Sequence, residues 1–345
     1  MNHPTLKDVA RRAGVSVSTV SYALNEASTL PLAAATKDRV RRIAREMGYV
    51  PNGLARSLQS QASRTIGVVL GKPLTSRRYA AIVEGLARGL DARGHHLALL
   101  AESSALAAVD EVRARRLDGL VFIGHDDQGV PDDLAAAVEE YSVPFVAVDC
   151  GTPDAHARSG SVDFDYAAGV RQAFAYLASL GVRTVLYVRP DIESRAERMR
   201  EDAIADERMR HPEIVVTPVS TGVTVDALAR LDAEEAGWMT RAAALSARVA
   251  QALDEAGSPP STAVLCAWGT DAEPAYQAAR RHDERVRVVA LAAGALSDAL
   301  WPRLAYSRLP LETCGGEAGR LIVAAAAGED AAERVLLVPE LATED

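Results

Sequence analysis

The stretch TLKDVARRAGVSVSTVSYALN, residues 5–25, decides how this 345-residue chain is read. Thr5 suits an N-cap, and Asp8 follows it at the spacing of a capping box. Leu6, Val9, Ala10 and Ala13 recur at helical spacing, so 6–13 reads as a helix with one apolar face. Gly14 supplies the permissive backbone that closes such a helix. Ser16 suits the cap of a second helix over 17–25, whose Val20, Ala23 and Leu24 face inward. Two short helices joined by a glycine-containing turn make a helix-turn-helix. A third helix is predicted over 36–48, with Val40, Ile43, Ala44 and Met47 inside and Gly48 as its terminator.

The second helix is the distinctive one. It carries hydroxyls at Ser16, Ser18, Thr19 and Ser21, a phenol at Tyr22 and an amide at Asn25, and it has no acid. A helix that enters the major groove of DNA must be slim at its start and must offer donors and acceptors to base edges. Val17 and Ser18 at the helix start, with Tyr22 one turn on, are the candidates for base contact. Ser16, Thr19, Ser21 and Asn25 are the candidates for phosphate contact. Charge points the same way. Residues 1–60 hold nine Lys/Arg and four Asp/Glu, a net of +5, which leaves −14 on the remainder. A basic head on an acidic body suggests a polyanion partner for the head alone. A solvated basic helix without a partner would carry the same charge, and the helix-turn-helix pattern separates the two.

After Gly48 the chain reads YVPNGLARSLQS, residues 49–60. Pro51 suits the first turn of a new helix, and Leu54, Ala55 and Leu58 share one face. So short a helix does not hold alone; it needs DNA or a second copy of the chain. Residues 5–60 resemble the DNA-binding head of the LacI/GalR (lactose-repressor) family, in order, through TLKDVARRAGVSVSTVSYALN and TKDRVRRIAREMGYVPNGLARSL. The resemblance implies a homodimer on a roughly palindromic double-stranded DNA operator, with Thr5 and Leu6 among the contacts. It also implies a hinge helix in the minor groove, carried by Asn52, Ala55, Arg56 and Leu58. There Leu58 is the wedge between base steps and Ala55 lets two hinge helices approach. One departure lies in EASTLPLAAA, residues 26–35, which is longer than the family pattern and lacks its usual cap before the third helix.

From Thr65 onward, strands and helices alternate. Apolar runs at 65–70, 96–101, 119–124, 144–149, 184–189, 214–219, 262–267 and 286–291 read as strands. Amphipathic stretches at 79–94, 107–118, 131–142, 165–181, 193–210, 238–256, 271–282 and 314–328 read as helices. Such alternation means an α/β protein with parallel sheets covered on both faces. So many units exceed one comfortable sheet, and two Rossmann-like lobes with a cleft between them are expected. The resemblance implies the same: a periplasmic-binding-protein-like core in which a small molecule, often a sugar, changes lobe geometry. The expected organisation is a head at 1–50, a hinge at 51–61 and a core at 62–345. Lobe 1 is expected to take about 64–162 and 304–329, and lobe 2 about 163–291 and 330–345.

The likeness thins after about residue 190, where effector contacts are expected. Asp149 and Arg198 stand where the family pattern has them, but Glu201 replaces its glycine. Trp268 and Gly269 replace the usual Asn-Asp pair, and ALAAGA (290–295) has no carboxylate. Two readings stand. In one, Asp149, Arg198, Trp268 and Asp271 form an altered effector pocket, with Trp268 as a stacking platform. In the other, Trp268 fills a decayed pocket as core, and the regulator works without an effector, through a protein partner or as an activator.

Other classes find little support. There is no Gly-x-Ser-x-Gly elbow, no Walker loop and no Gly-x-Gly-x-x-Gly after the first strand, so no catalytic residue, cofactor or metal is assigned. CGGEAG (314–319) reads as close helix packing, and His125–Asp127 as a solvated loop. Cys150, Cys266 and Cys314 are odd in number and far apart, as reduced thiols are. No apolar run approaches a membrane span, and the N-terminus has no secretory pattern, so a cytoplasmic protein is expected. No heptad segment follows LLVPELATED, so a dimer is expected over a tetramer.

Overall fold

The computed structural model describes residues 4–24, 32–49, 62–72, 74–124, 129–151, 159–228, 237–257, 259–293, 301–329 and 332–343. The chain divides into two compact units, Met1–Ser63 and Arg64–Asp345.

The first unit holds α1 (Leu6–Ala13), α2 (Val17–Leu24) and α3 (Ala34–Glu46). Thr5 and Asp8 form the predicted capping box: the Thr5 N–H donates to Asp8 Oδ2 at 3.0 Å, and the Asp8 N–H donates to Thr5 Oγ1 at 3.4 Å. Gly14 takes the left-handed conformation, φ 65°, which a side chain would strain. Val9, Ala10, Ala13, Val20, Ala23, Val40, Ile43 and Ala44 form the core of the unit. The third helix begins and ends two residues earlier than predicted, capped by Ala33 without a side-chain bond, while Gly48 has the expected positive φ.

The second unit contains two six-stranded sheets. The first has the order β11-β5-β4-β3-β1-β2 and is parallel throughout: β1 (Thr65–Leu70), β2 (His96–Ala101), β3 (Gly119–Ile123), β4 (Phe145–Val148), β5 (Ser159–Phe164) and β11 (Arg334–Leu337). The second has the order β12-β10-β9-β8-β6-β7: β6 (Thr184–Arg189), β7 (Val215–Ser220), β8 (Thr262–Cys266), β9 (Arg287–Ala293), β10 (Leu304–Arg308) and β12 (Glu340–Ala342). Among the described residues, only its β10–β12 pair is antiparallel. The linking helices are α4 (Arg77–Asp91), α5 (Ala105–Arg113), α6 (Asp132–Glu140), α7 (Tyr166–Ser179), α8 (Arg195–Arg210), α9 (Gly237–Ala256), α10 (Ala272–His282) and α11 (Leu311–Ala326).

The lobe boundaries differ from expectation at three places. β10 pairs with β9 and belongs to lobe 2, although 304–329 is expected in lobe 1. β11 pairs with β5 and belongs to lobe 1, although 330–345 is expected in lobe 2. β10, β11 and β12 have no counterpart among the eight predicted strands, and neither has β5, which extends lobe 1 past residue 162. Its sequence, SGSVDF, is fully buried yet lacks an apolar run, so the pattern that marks a buried strand is missing. The chain therefore crosses between lobes around 165, 309 and 338.

The glycines of CGGEAG serve packing. A Cβ on Gly315 would lie 2.0 Å from the Ile82 carbonyl oxygen, and one on Gly85 would lie 2.1 Å from that of Glu312. Only glycine lets α4 and α11 approach so closely.

Candidate nucleic-acid interface and interlobe cleft

α2 turns Val20 and Ala23 into the core, and this leaves Val17 41% and Tyr22 43% exposed. Ser16 and Ser18 are exposed as well, while Thr19 and Ser21 are half-buried. Ser16 caps the helix: the Thr19 N–H donates to its Oγ at 3.0 Å, and the two hydroxyls lie 2.8 Å apart. These bonds fix the start of α2 and leave Val17, Ser18 and Tyr22 as its outward chemistry. That chemistry is a methyl-bearing group, a hydroxyl and a phenol, with no carboxylate on the helix. Thr5 is exposed, but Leu6 is half-buried against the head core. Sequence reasoning missed Arg41, whose Nε donates to the Ala23 carbonyl at 3.2 Å and ties α3 to the end of α2. Asn25, Asn52, Ala55, Arg56 and Leu58 lie outside the described residues.

The cleft is built at the C-terminal ends of the lobe 1 strands. Asp149 ends β4 in the left-handed region, φ 56°, and is 3% exposed. Arg78, at the start of α4, donates to its Oδ2 and, at 2.6 Å, to the Tyr166 hydroxyl. That hydroxyl donates to Asp149 Oδ1 at 2.8 Å. From lobe 2, Arg195 at the start of α8 places Nη2 2.9 Å from Asp163 Oδ1 and 3.8 Å from Asp149 Oδ1. The Gly151 N–H also donates to Asp163, at 2.9 Å. Burial still holds the Asp163 carboxyl above its ordinary range, because desolvation outweighs Arg195. Burial likewise pushes the Cys150 thiol up.

A second charged cluster lies deeper, in lobe 2. Glu197 accepts from the Tyr187 hydroxyl at 2.6 Å and from Arg200 at 3.2 Å. Arg200 is fully buried and lies 4.4 Å from the Tyr166 ring centroid. Asp271 is fully buried and pairs with Arg241 on α9. Burial raises the carboxyls of both Glu197 and Asp271.

The four predicted effector residues are thus not gathered at one surface. Asp149 stands at the lobe contact, already bonded within the protein. Arg198 is exposed, off the buried stripe of Ala196, Glu197, Arg200, Ala203 and Ile204. Trp268 packs in the lobe 2 core with Ile192, Val223 and Leu228, so its ring is not presented as a stacking platform. Asp271 is inside the same lobe. Arg78, Asp163, Tyr166 and Arg195 were missed; none lies in a motif, and only the fold brings them together.

A groove of about 1000 Å³ is lined by α9 and α10 of lobe 2, from Arg241 and Thr270 to Arg281 and His282. Among the described residues there is no cluster of His, Cys, Asp and Glu fit to hold a metal ion, and no helix long and apolar enough to cross a membrane. His125, Asp126 and Asp127 lie outside the described residues.

Comparison with known proteins covers both units. Residues 5–52 match the family of bacterial regulatory proteins, lacI family. Residues 63–228 match the periplasmic binding proteins and sugar binding domain of the LacI family, and 174–343 match a periplasmic binding protein-like domain. The HTH-type transcriptional repressor PurR of Pectobacterium carotovorum subsp. carotovorum is 31% identical over 196 residues, 55% of either chain. Catabolite control protein A of Staphylococcus aureus is 27% identical over 213 residues, 58% of this chain and 59% of that one. The chain thus spans a little over half the length of the curated relatives it matches. The lac repressor dimer bound to operator and the anti-inducer ONPF superposes with a TM-score of 0.75 at 23% identity, covering 99% of this chain and 98% of that one. The transcriptional regulator CelR–cellobiose complex does so with 0.60 at 22%, with the same coverage. At these identities the likeness speaks to fold.

Proposed function

The chain belongs to the LacI family of bacterial regulatory proteins, and from that premise we propose that it is a sequence-specific DNA-binding transcriptional regulator, a homodimeric repressor on a palindromic operator. One observation carries the reading: α2 is capped and pinned from inside, while Val17, Ser18 and Tyr22 are exposed on a helix that carries no acid. In this reading Val17 meets a thymine methyl, and Ser18 and Tyr22 bond base edges or phosphates. Exposed Lys7, Arg11 and Arg12 supply affinity through phosphate contact and counterion release. Asn52, Ala55, Arg56 and Leu58 form the minor-groove hinge, with Leu58 as the wedge. The protein acts in the cytoplasm, on chromosomal DNA, as a regulator and not as an enzyme. The relatives named as transcriptional repressors support this reading.

A small-molecule effector between the lobes is the family expectation. A second reading, regulation without such an effector, is favoured by the cleft: Asp149 already has Arg78 and Tyr166 as partners, and Trp268 is core.

The test is selection of the full chain on random duplex DNA. The expected result is a palindrome with two half-sites and a deformable centre; no enriched sequence would overturn the reading. Calorimetric titration with sugars and other small metabolites then separates the two modes of regulation.

A further inference from the structure

The lobes meet through charge that the chain supplies to itself. Arg195, the first residue of α8, belongs to lobe 2 by its helix, yet its guanidinium reaches two carboxylates of lobe 1. Asp163 lies on β5 and Asp149 at the end of β4, so a single nitrogen, Arg195 Nη2, hydrogen-bonds the first at 2.9 Å and lies within ion-pair range of the second, at 3.8 Å, across two neighbouring strands. The same turn of α8 brings apolar contact: Ala196 and Met199 pack against the lobe 1 core, and Arg195 Nη1 lies 3.4 Å from Met199 Sδ. Arg78 holds Asp149 from the lobe 1 side and keeps the carboxylate oriented toward the contact.

We propose that Arg195 is a built-in latch that binds Asp163 and Asp149 across the cleft and holds the two lobes together without a ligand. Its regulatory meaning rests on the effector-cleft reading above; the contact itself does not.

The latch is suited to release. Arg195 is 32% exposed, so water or a competing group can reach it, whereas Asp149 behind it is sealed. The ion pair is opposed by the burial of the Asp163 carboxylate. Asp163 meets the charges of Arg195 from α8 and Asp149 from β4, with the Gly151 N–H and Ser161 as hydrogen-bond partners. Such a device can be opened by any ligand that offers donors to the two carboxylates, such as a polyol or an amine.

The experiment measures lobe separation in the full chain without ligand or DNA. Spin labels are placed at Leu106→Cys on α5 of lobe 1 and Val225→Cys on lobe 2, both exposed, with Cys150→Ala to limit labelling. Pulsed electron paramagnetic resonance should give one narrow distance distribution in this parent. Arg195→Gln should add a population at longer separation, and Arg195→Lys should retain most of the parent distribution. An unchanged distribution in folded Arg195→Gln overturns the latch. If that variant does not fold, Asp163→Asn decides on the same readout, since it keeps an acceptor for the Gly151 N–H and removes the charge. Failure to select an operator would sink the proposed function and leave the latch standing; an unchanged distribution with operator binding intact would sink the latch alone.

Discussion

The head and the lobes use charge in opposite ways. Among the described residues of the head, no buried side chain is charged, and Lys7, Arg11, Arg12, Arg39, Arg42 and Arg45 are exposed. The lobes bury Asp149, Asp163, Glu197, Arg200, Glu207, Arg241 and Asp271. Exposed charge is addressed to something outside the molecule and acts through long-range attraction and phosphate contact. Buried charge is tolerated only where the protein itself supplies the partner. Substitutions in the head should therefore change binding and spare stability, and substitutions among the buried pairs should do the reverse.

The largest effect is expected at Arg241. Arg241→Met leaves Asp271, which is fully buried, without its ion-pair partner. Stranding one member of such a pair costs about 3–5 kcal/mol, read as a fall in urea stability at pH 7. Removing both charges, in Arg241→Met with Asp271→Leu, should restore most of the loss. A change under about 1 kcal/mol in the single variant would show that Asp271 draws on another cation and would weaken the contrast between the regions.

Head substitutions come next. Ser18→Ala and Tyr22→Ala should each weaken specific binding by about 1–3 kcal/mol, roughly 5- to 150-fold, with urea midpoints unchanged. Arg12→Ala should weaken binding to all sequences alike and reduce the salt slope by about 1. Equal losses on operator and random DNA for Tyr22→Ala would assign that phenol to phosphate contact. Ser16→Ala should behave differently from its neighbours. Its hydroxyl caps α2, so the loss is about 1 kcal/mol of local stability, seen as faster amide exchange in α2.

What could be read in the sequence follows the same division. The head was legible because its signals are local: the Thr5–Asp8 box, the left-handed Gly14 and the Ser16 cap all fall within a few residues of the groups they satisfy. Eight strands of the lobes were legible from apolar runs; β5, whose buried SGSVDF carries polar residues, and the short β10, β11 and β12 were not. The cleft was not legible, for two physical reasons. Its ion pairs join residues distant in sequence, such as Arg78 with Asp149 and Arg195 with Asp163. And α8, RAERMREDAIADERMR, has charge on every face, so no apolar stripe fixes its rotation. The family pattern therefore points to Arg198, while the fold buries Arg200 and sets the half-exposed Arg195 against the lobe 1 carboxylates.

The smallest effect is the most diagnostic. Burial raises the Asp163 carboxyl, so the native state binds its proton at a higher pH than the unfolded chain does. Between the ordinary carboxylate range, about 4, and that raised value, the native state holds more protons. The contribution of Asp163 to stability therefore falls as pH rises through this window; above it, the ionised group is a net cost to the fold. Asp163→Asn should be no less stable than the parent at pH 7, and the difference should shrink to nothing as pH falls below the ordinary range. Urea midpoints at pH 7 and at successively lower pH check both the sign and the window. Loss of stability in Asp163→Asn at pH 7 would mean that Arg195 returns more than burial takes, and the lobe contact would then be a rivet and not a latch. Glu197 and Asp271 are raised for the same reason, and they act in the same direction. Surface Asp283 is held down to about 2 by Arg285 and acts in the opposite one, so the comparison with Asp163→Asn isolates the single buried group.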